Sequence, residues 1–147
     1  MTFLLVDEIL EVKKGESIIA ATNLSAYKDY FINHIFYGMI IPYTLLIESV
    51  AQAAGWLITA SLDFKKRGLL INLGQMEFYG VVHPGDQLLL EAEVISLHED
   101  AAMLTGRGKV EGRLLGKIDS GLCLLVDVNK LDDIERTKSL FSALTKK

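Results

Sequence analysis

Hydrophobic and polar positions along the chain follow two patterns. Residues 43–62, YTLLIESVAQAAGWLITASL, are apolar almost without a break, while the segments on either side largely alternate. A continuous apolar run of that length predicts a helix that is apolar nearly all round and buried inside a fold. Pro42 opens it, at a position where the missing N–H is not needed. Residues 63–68, DFKKRG, close it, with cations where the helix dipole favours them. Before the helix, residues 3–12 (FLLVDEILEV) and 16–25 (ESIIAATNLS) predict two strands joined at Lys13-Lys14-Gly15. Residues 26–42 are aromatic-rich and irregular, broken by Gly38 and Pro42. After the helix, four strands are predicted over 69–79, 87–98, 101–111 and 114–128. Pro84-Gly85-Asp86, Glu99-Asp100 and Glu111-Gly112-Arg113 are their turns. Leu88, Leu90, Ala92 and Val94 alternate against Leu89, Glu91, Glu93 and Ile95, which marks one face as more buried. Residues 130–147 carry Leu131, Ile134, Phe141 and Leu144 at near-helical spacing and predict a short terminal helix.

Strands grouped around a single helix indicate an α+β architecture rather than βαβ repeats. An antiparallel sheet that wraps one face around the helix buries it, and that arrangement is the hotdog fold. The whole chain, 1–147, reads as one such domain, with residues 129–147 as a helical extension. Long edge strands in this kind of sheet invite pairing with a second copy.

Composition narrows the function. The 147 residues suit one domain and leave no room for a separate cofactor domain. With 15 Lys+Arg against 19 Asp+Glu, the chain lacks the basic footprint of general nucleic-acid binding. Cys123 is the only cysteine, so neither an internal disulfide nor a cysteine zinc site is expected. The opening MTFLLVDEILEVKK has no basic region ahead of its apolar stretch, unlike a secretory signal, and a reducing cytoplasm fits. Residues 43–62 are long enough to cross a bilayer, but they contain Glu48 and Gln52. A carboxylate near mid-span costs about 2.5–3.5 kcal/mol on insertion scales, which argues for a soluble core helix.

Two residues stand out chemically. Glu48 has Leu45, Leu46, Ile47, Val50, Ala51 and Ala54 around it, so the reading is a carboxylate enclosed by apolar neighbours. Such a group needs a partner or a function. Gln52 lies one turn on, within hydrogen-bond reach. His34 precedes Glu48 by fourteen residues, in Asn33-His34-Ile35-Phe36-Tyr37-Gly38. An imidazole and a carboxylic acid together can take and return protons near neutral pH.

The stretch Phe31-Ile32-Asn33-His34, Pro42, and Glu48 with Gln52 resembles the active-site region of bacterial 3-hydroxyacyl-[acyl-carrier-protein] dehydratases of the FabZ type. That family's pattern is Gly-His-Phe-Pro-Gly, then Met-Pro-Gly, then a Glu-x-x-x-Gln helix. The His-to-Pro interval of eight and the His-to-Glu interval of fourteen match without a gap. Leu4-Leu5-Val6-Asp7 resembles the family's opening strand, and residues 78–88, FYGVVHPGDQL, its Val-x-Pro-Gly-Asp-Gln-Leu turn. The likeness runs over residues 3–128.

The resemblance implies a hotdog homodimer or trimer of dimers, no cofactor, and an acyl-carrier-protein partner. It implies His34 of one subunit and Glu48 of the other as the acid–base pair, removing water from a (3R)-3-hydroxyacyl thioester. Phe36, Tyr37, Gly38, Tyr43 and Gln52 would then border the substrate. The chain departs from the pattern at Asn33, at Phe36-Tyr37 in place of Pro-Gly, and at Tyr43 in place of the glycine after Pro. Two other readings follow from these residues. One is a hotdog thioesterase using Glu48. The other is an acyl-binding protein without catalysis. Elsewhere, His83 and His98 read as exposed or structural, and Trp56, Phe64, Phe78 and Tyr79 as core or tunnel lining. Lys65-Lys66-Arg67 reads as an exposed helix end, with an acidic carrier protein as its functional alternative.

Overall fold

A computed structural model describes residues 5–23, 31–130 and 133–145. Leu88, Leu90 and Ala92 are fully buried while Leu89, Glu91 and Glu93 are not, so the alternation in β7 (Gln87–Leu97) assigns one face to a core. Its neighbours in the sheet obey the same rule. The order is β1 (Glu8–Lys13), β2 (Ser17–Asn23), β7, β8 (Ala101–Val110), β9 (Arg113–Asp127) and β5 (Lys66–Leu73), all antiparallel. A short β6 (Met76–Phe78) also pairs with β9. β3 (Ile32–His34) and β4 (Gly38–Ile40) form a separate two-stranded hairpin. The helix α1 (Tyr43–Ser61) lies across the sheet and buries Leu46, Val50, Ala53, Leu57 and Ile58 against it. This is the hotdog arrangement.

The close approach of α1 depends on two glycines in β8. A Cβ on Gly106 would sit 2.6 Å from Val50 Cγ1, and one on Gly108 would sit 2.9 Å from Leu46 Cδ1. Side chains at either position would push the helix off the sheet. Buried hydroxyls under the helix are satisfied locally: Ser49 donates to the Leu45 carbonyl and Thr59 to the Gly55 carbonyl, both at 2.9 Å. Among the described residues no buried side-chain polar atom lacks a partner, and no helix is long and apolar enough to cross a membrane.

Four expectations are corrected. The run 69–79 is not one strand: it breaks at Gly74-Gln75, where the Gly74 N–H donates to the Ser120 carbonyl at 2.7 Å. Lys66 and Arg67 do not close α1, because they already belong to β5. The reversal is made by Asp63 and Phe64 at φ 53° and 65°, with the Phe64 N–H on the Thr59 carbonyl. Residues 32–40 are not irregular but a hairpin; residues 26–30 lie outside the described residues. The first strand begins at Glu8, with the buried Leu5 and Val6 ahead of it and residues 3 and 4 outside the described residues.

The terminal helix α2 spans Ile134–Thr145, and Leu131 lies outside the described residues. Asp133 Oδ1 caps its first turn by accepting the Glu135 N–H at 2.9 Å. Phe141 of α2 packs against Trp56 and Phe64, with ring centroids 5.8 and 5.2 Å apart.

Candidate active site

His34 is the last residue of β3, directly opposite Gly38 in the hairpin register. Residues 35–37 make the turn, and Gly38 leaves it at φ 73°, a conformation that favours glycine. The glycine that the altered loop needs therefore stands after Tyr37. The Phe36 N–H donates to His34 Nδ1 at 3.1 Å. An accepting Nδ1 puts the proton of a neutral ring on Nε2. The Tyr37 and Phe36 rings flank the imidazole at 4.9 and 6.0 Å. The hairpin tip is bare, with Ile35 88% and Phe36 83% exposed.

Glu48 is not enclosed, contrary to the reading of its neighbours; it is exposed on the outer side of α1. Sequence neighbours in a helix point about 100° apart, so Leu46, Ile47 and Val50 turn inward while Thr44, Glu48 and Gln52 form an i, i+4 row facing out. Gln52 Nε2 donates to Glu48 Oε1 at 3.2 Å, and Gln52 Oε1 accepts the Leu5 N–H at 2.7 Å. The amide thus ties the carboxylate to the incoming N-terminal segment. Among the described residues, no hydrogen bond or ion pair joins His34 to Glu48 within one chain.

The first turn of α1 adds donors. Pro42 provides no side-chain cap, and its carbonyl accepts from Leu45 and Leu46. The N–H groups of Tyr43 and Thr44 are left at the positive end of the helix dipole. The Tyr43 ring turns away onto Phe78, 4.4 Å between centroids. A cavity of about 40 Å³ runs between α1 and the sheet, lined by Ala51 and Gly55 on the flank of Glu48 and by Leu70 and Leu73 of β5. A larger groove of about 530 Å³ opens beside Tyr37 and Tyr43 and continues to His83 and Arg113.

A family model for the FabA-like domain matches residues 1–118. The chain belongs to the FabA-like family. The 3-hydroxyacyl-[acyl-carrier-protein] dehydratase FabZ of Coxiella burnetii (strain RSA 331 / Henzerling II) is 34% identical over 121 residues, covering 80% of this chain and 85% of that one. The protein of the same description from Thermoanaerobacter sp. (strain X514) is 36% identical over 109 residues, covering 74% and 77%. Within the FabA-like family the chain is accordingly a FabZ-type dehydratase, a hydro-lyase of fatty-acid biosynthesis. Solved structures agree on the fold. Smu.793 from Streptococcus mutans UA159, bound to acetyl CoA, superposes with a TM-score of 0.64 at 12% identity, covering 82% of this chain and 88% of that one. A hypothetical thioesterase from Streptococcus pneumoniae TIGR4 does so with a TM-score of 0.64 at 15% identity, covering 82% and 88%. The family model ends within β9, so α2 stands outside it.

The remaining sequence readings sort by place. His83 is exposed, with Nδ1 4.0 Å from Asp86 Oδ2, and His98 is exposed at the end of β7. Trp56 and Phe64 pack against α2, whereas Phe78 and Tyr79 are exposed beside Tyr43. Lys66 is held by the Glu99 carbonyl at 2.8 Å. It follows the C-terminal end of α1, and the 19-residue helix puts about 28 Å between that end and Tyr43. Sequence reading missed the groove. His83, just before the 84–86 turn, and Arg113, in the 111–113 turn, end on one wall because β6 and β9 pair in a register that no local pattern encodes.

Proposed function

We propose that this protein removes water from a (3R)-3-hydroxyacyl thioester carried on acyl carrier protein, giving the trans-2-enoyl thioester, in the cytoplasm. His34 of one subunit and Glu48 of a second copy form the acid–base pair. The observation that carries this reading is the open flank of α1. Glu48 is exposed there, on the flank of α1 whose Ala51 and Gly55 line a cavity with Leu70 and Leu73 of β5. β5 is an edge strand with Leu69, Leu70 and Ile71 exposed, Ile71 at 59%. In this reading a second copy docks along β5, covers Glu48 and supplies a His34 hairpin to it. The assembly is a homodimer, or a trimer of such dimers.

The chemistry follows from what the substrate resists. Its C2 proton is weakly acidic and its 3-hydroxyl leaves poorly. His34 takes the C2 proton, and Glu48 protonates the departing hydroxyl. The protonated carboxyl is the form able to donate. To accept at Nε2 the imidazole must carry its proton on Nδ1, so the Phe36 bond belongs to the resting state. The Tyr43 and Thr44 N–H groups receive the charge that develops on the thioester oxygen. The Tyr43 ring replaces a family glycine without removing that backbone donor. Gln52 positions Glu48, and Phe36, Tyr37 and Gly38 shape the hairpin. Neither proton transfer calls for a cofactor.

The test is turnover of a (3R)-3-hydroxyacyl-carrier thioester, with enoyl product and free thiol followed in the same sample. Enoyl product without thiol is expected. Thiol release would replace the reading with thioester hydrolysis. Tight binding with neither product would leave an acyl-binding protein.

A further inference from the structure

We propose that the groove between the α1 N-terminus and the β8–β9 turn holds the phosphopantetheine arm of the substrate, with Arg113 binding its phosphate; this rests on the dehydratase reading above. The groove begins at Tyr37, which packs on His34, and at Tyr43, which opens α1. It passes Tyr79 and Gly80 and ends at His83 and Arg113. A ligand lying along it has its reactive end at the candidate site and its far end at a cation.

The charges make Arg113 the distinctive group. Among the described residues the Arg113 side chain forms no ion pair or hydrogen bond. The other charges nearby are committed. His83 lies beside Asp86, Tyr79 donates to Glu77, and Glu77 also faces Lys117 at 3.8 Å. The backbone that carries Arg113 is also well defined. It pairs with Val110 across a two-residue turn in which Glu111 and Gly112 have φ of 51° and 78°. Positive φ at both positions matches the twist of the flanking strands and makes a stiff hairpin. A guanidinium carried on that hairpin offers a planar fork of donors to phosphate oxygens. The wall between is mixed, with tyrosine rings, Val81 and Leu115. That suits an arm made of amides and a branched hydrocarbon segment.

The experiment compares 3-hydroxybutyryl-phosphopantetheine with 3-hydroxybutyryl-pantetheine, which lacks the phosphate, in binding titrations. Wild type is expected to hold the phosphorylated ligand about tenfold tighter, as one charge-assisted hydrogen-bonded pair provides. R113Q should lose that preference, and R113K should keep part of it. Equal affinity for the two ligands in wild type, or a preference that survives R113Q, overturns the proposal. Loading the arm on acyl carrier protein and on coenzyme A separates the sources. The same Arg113 dependence on both identifies the arm. Dependence on coenzyme A alone means that the nucleotide phosphates are read, and dependence on the carrier alone means a protein contact; either overturns it. Binding needs no turnover, so a chain that shows the Arg113-dependent preference but forms no enoyl product fails the dehydratase reading and not this one.

Discussion

At its C-terminal end α1 is clamped. Asp63 and Phe64 reverse the chain tightly, and Phe141 of α2 wedges against Trp56 and Phe64. At its N-terminal end it has no cap, its first N–H groups are unused, and Glu48 faces outward. The hairpin beside it exposes Ile35 and Phe36. One helix therefore has an end committed to packing and an end left available to ligand. A helix terminus that satisfied itself would be more stable and would have nothing to offer an oxyanion. The clamp lies partly outside the family model, whereas the open end lies within it.

The comparison breaks if catalysis does not respect the two ends. H34A and E48Q should each lower turnover by about 10²–10⁴-fold, the usual contribution of one acid–base group, with the melting temperature nearly unchanged. Mixing the two inactive variants sharpens the point. Subunits that share sites across an interface should recover about a quarter of wild-type activity on statistical exchange, because half of the mixed dimers' sites are intact. No recovery after verified exchange would place both groups in one chain.

The clamped end should respond in stability instead. F141A is expected to cost about 2 kcal/mol in chemical denaturation, since a half-buried ring is lost from two aromatic contacts. Turnover well below the melting temperature should hardly change. A variant that folds normally but turns over slowly would contradict the division.

A smaller effect comes from the outer face of the sheet, away from both ends. Arg107 bonds Glu93 through two nitrogens at 2.6 and 3.0 Å and Glu91 at 2.7 Å. Hydrogen bonds from the Arg107 guanidinium hold the Glu93 carboxyl below its ordinary range. The unfolded chain therefore binds the proton first. Stability from this pair is present above the unfolded pKa of about 4.3 and is lost as pH falls through the lower folded value. R107Q should lower the melting temperature modestly in the neutral region and flatten the acid limb, so that its profile meets the wild-type profile at low pH. The smallest effect concerns Cys123, whose thiol is pushed up by burial against the cavity under α1. It should stay unlabelled by thiol reagents in the native state and react as the chain is unfolded.

The fold was largely legible because the central strands β7 and β8 each have one buried face. In β7 that forces Leu88, Leu90 and Ala92 to one side, and the period shows directly. α1 was legible from length alone. What failed was direction. Counting the apolar neighbours of Glu48 hid the Thr44–Glu48–Gln52 row, because adjacency in sequence is not adjacency around a helix. The break at Gly74 was hidden because both pieces pair with one long partner, β9. At the site, the interval from His34 to Glu48 was readable, but the hairpin that carries His34 was not. Its strands are three residues each, too short for a period to register. The groove could not be read at all, since its walls come from segments far apart in the chain.

The aromatic seam between the helices has an optical consequence. Trp56 is the only tryptophan in the chain, and it lies where α2 meets α1. Indole emission shifts to longer wavelength when water reaches the ring. The protein's intrinsic fluorescence is therefore a single-site gauge of whether α2 is seated. Detachment of that helix shows as a red shift, without any dye or added label.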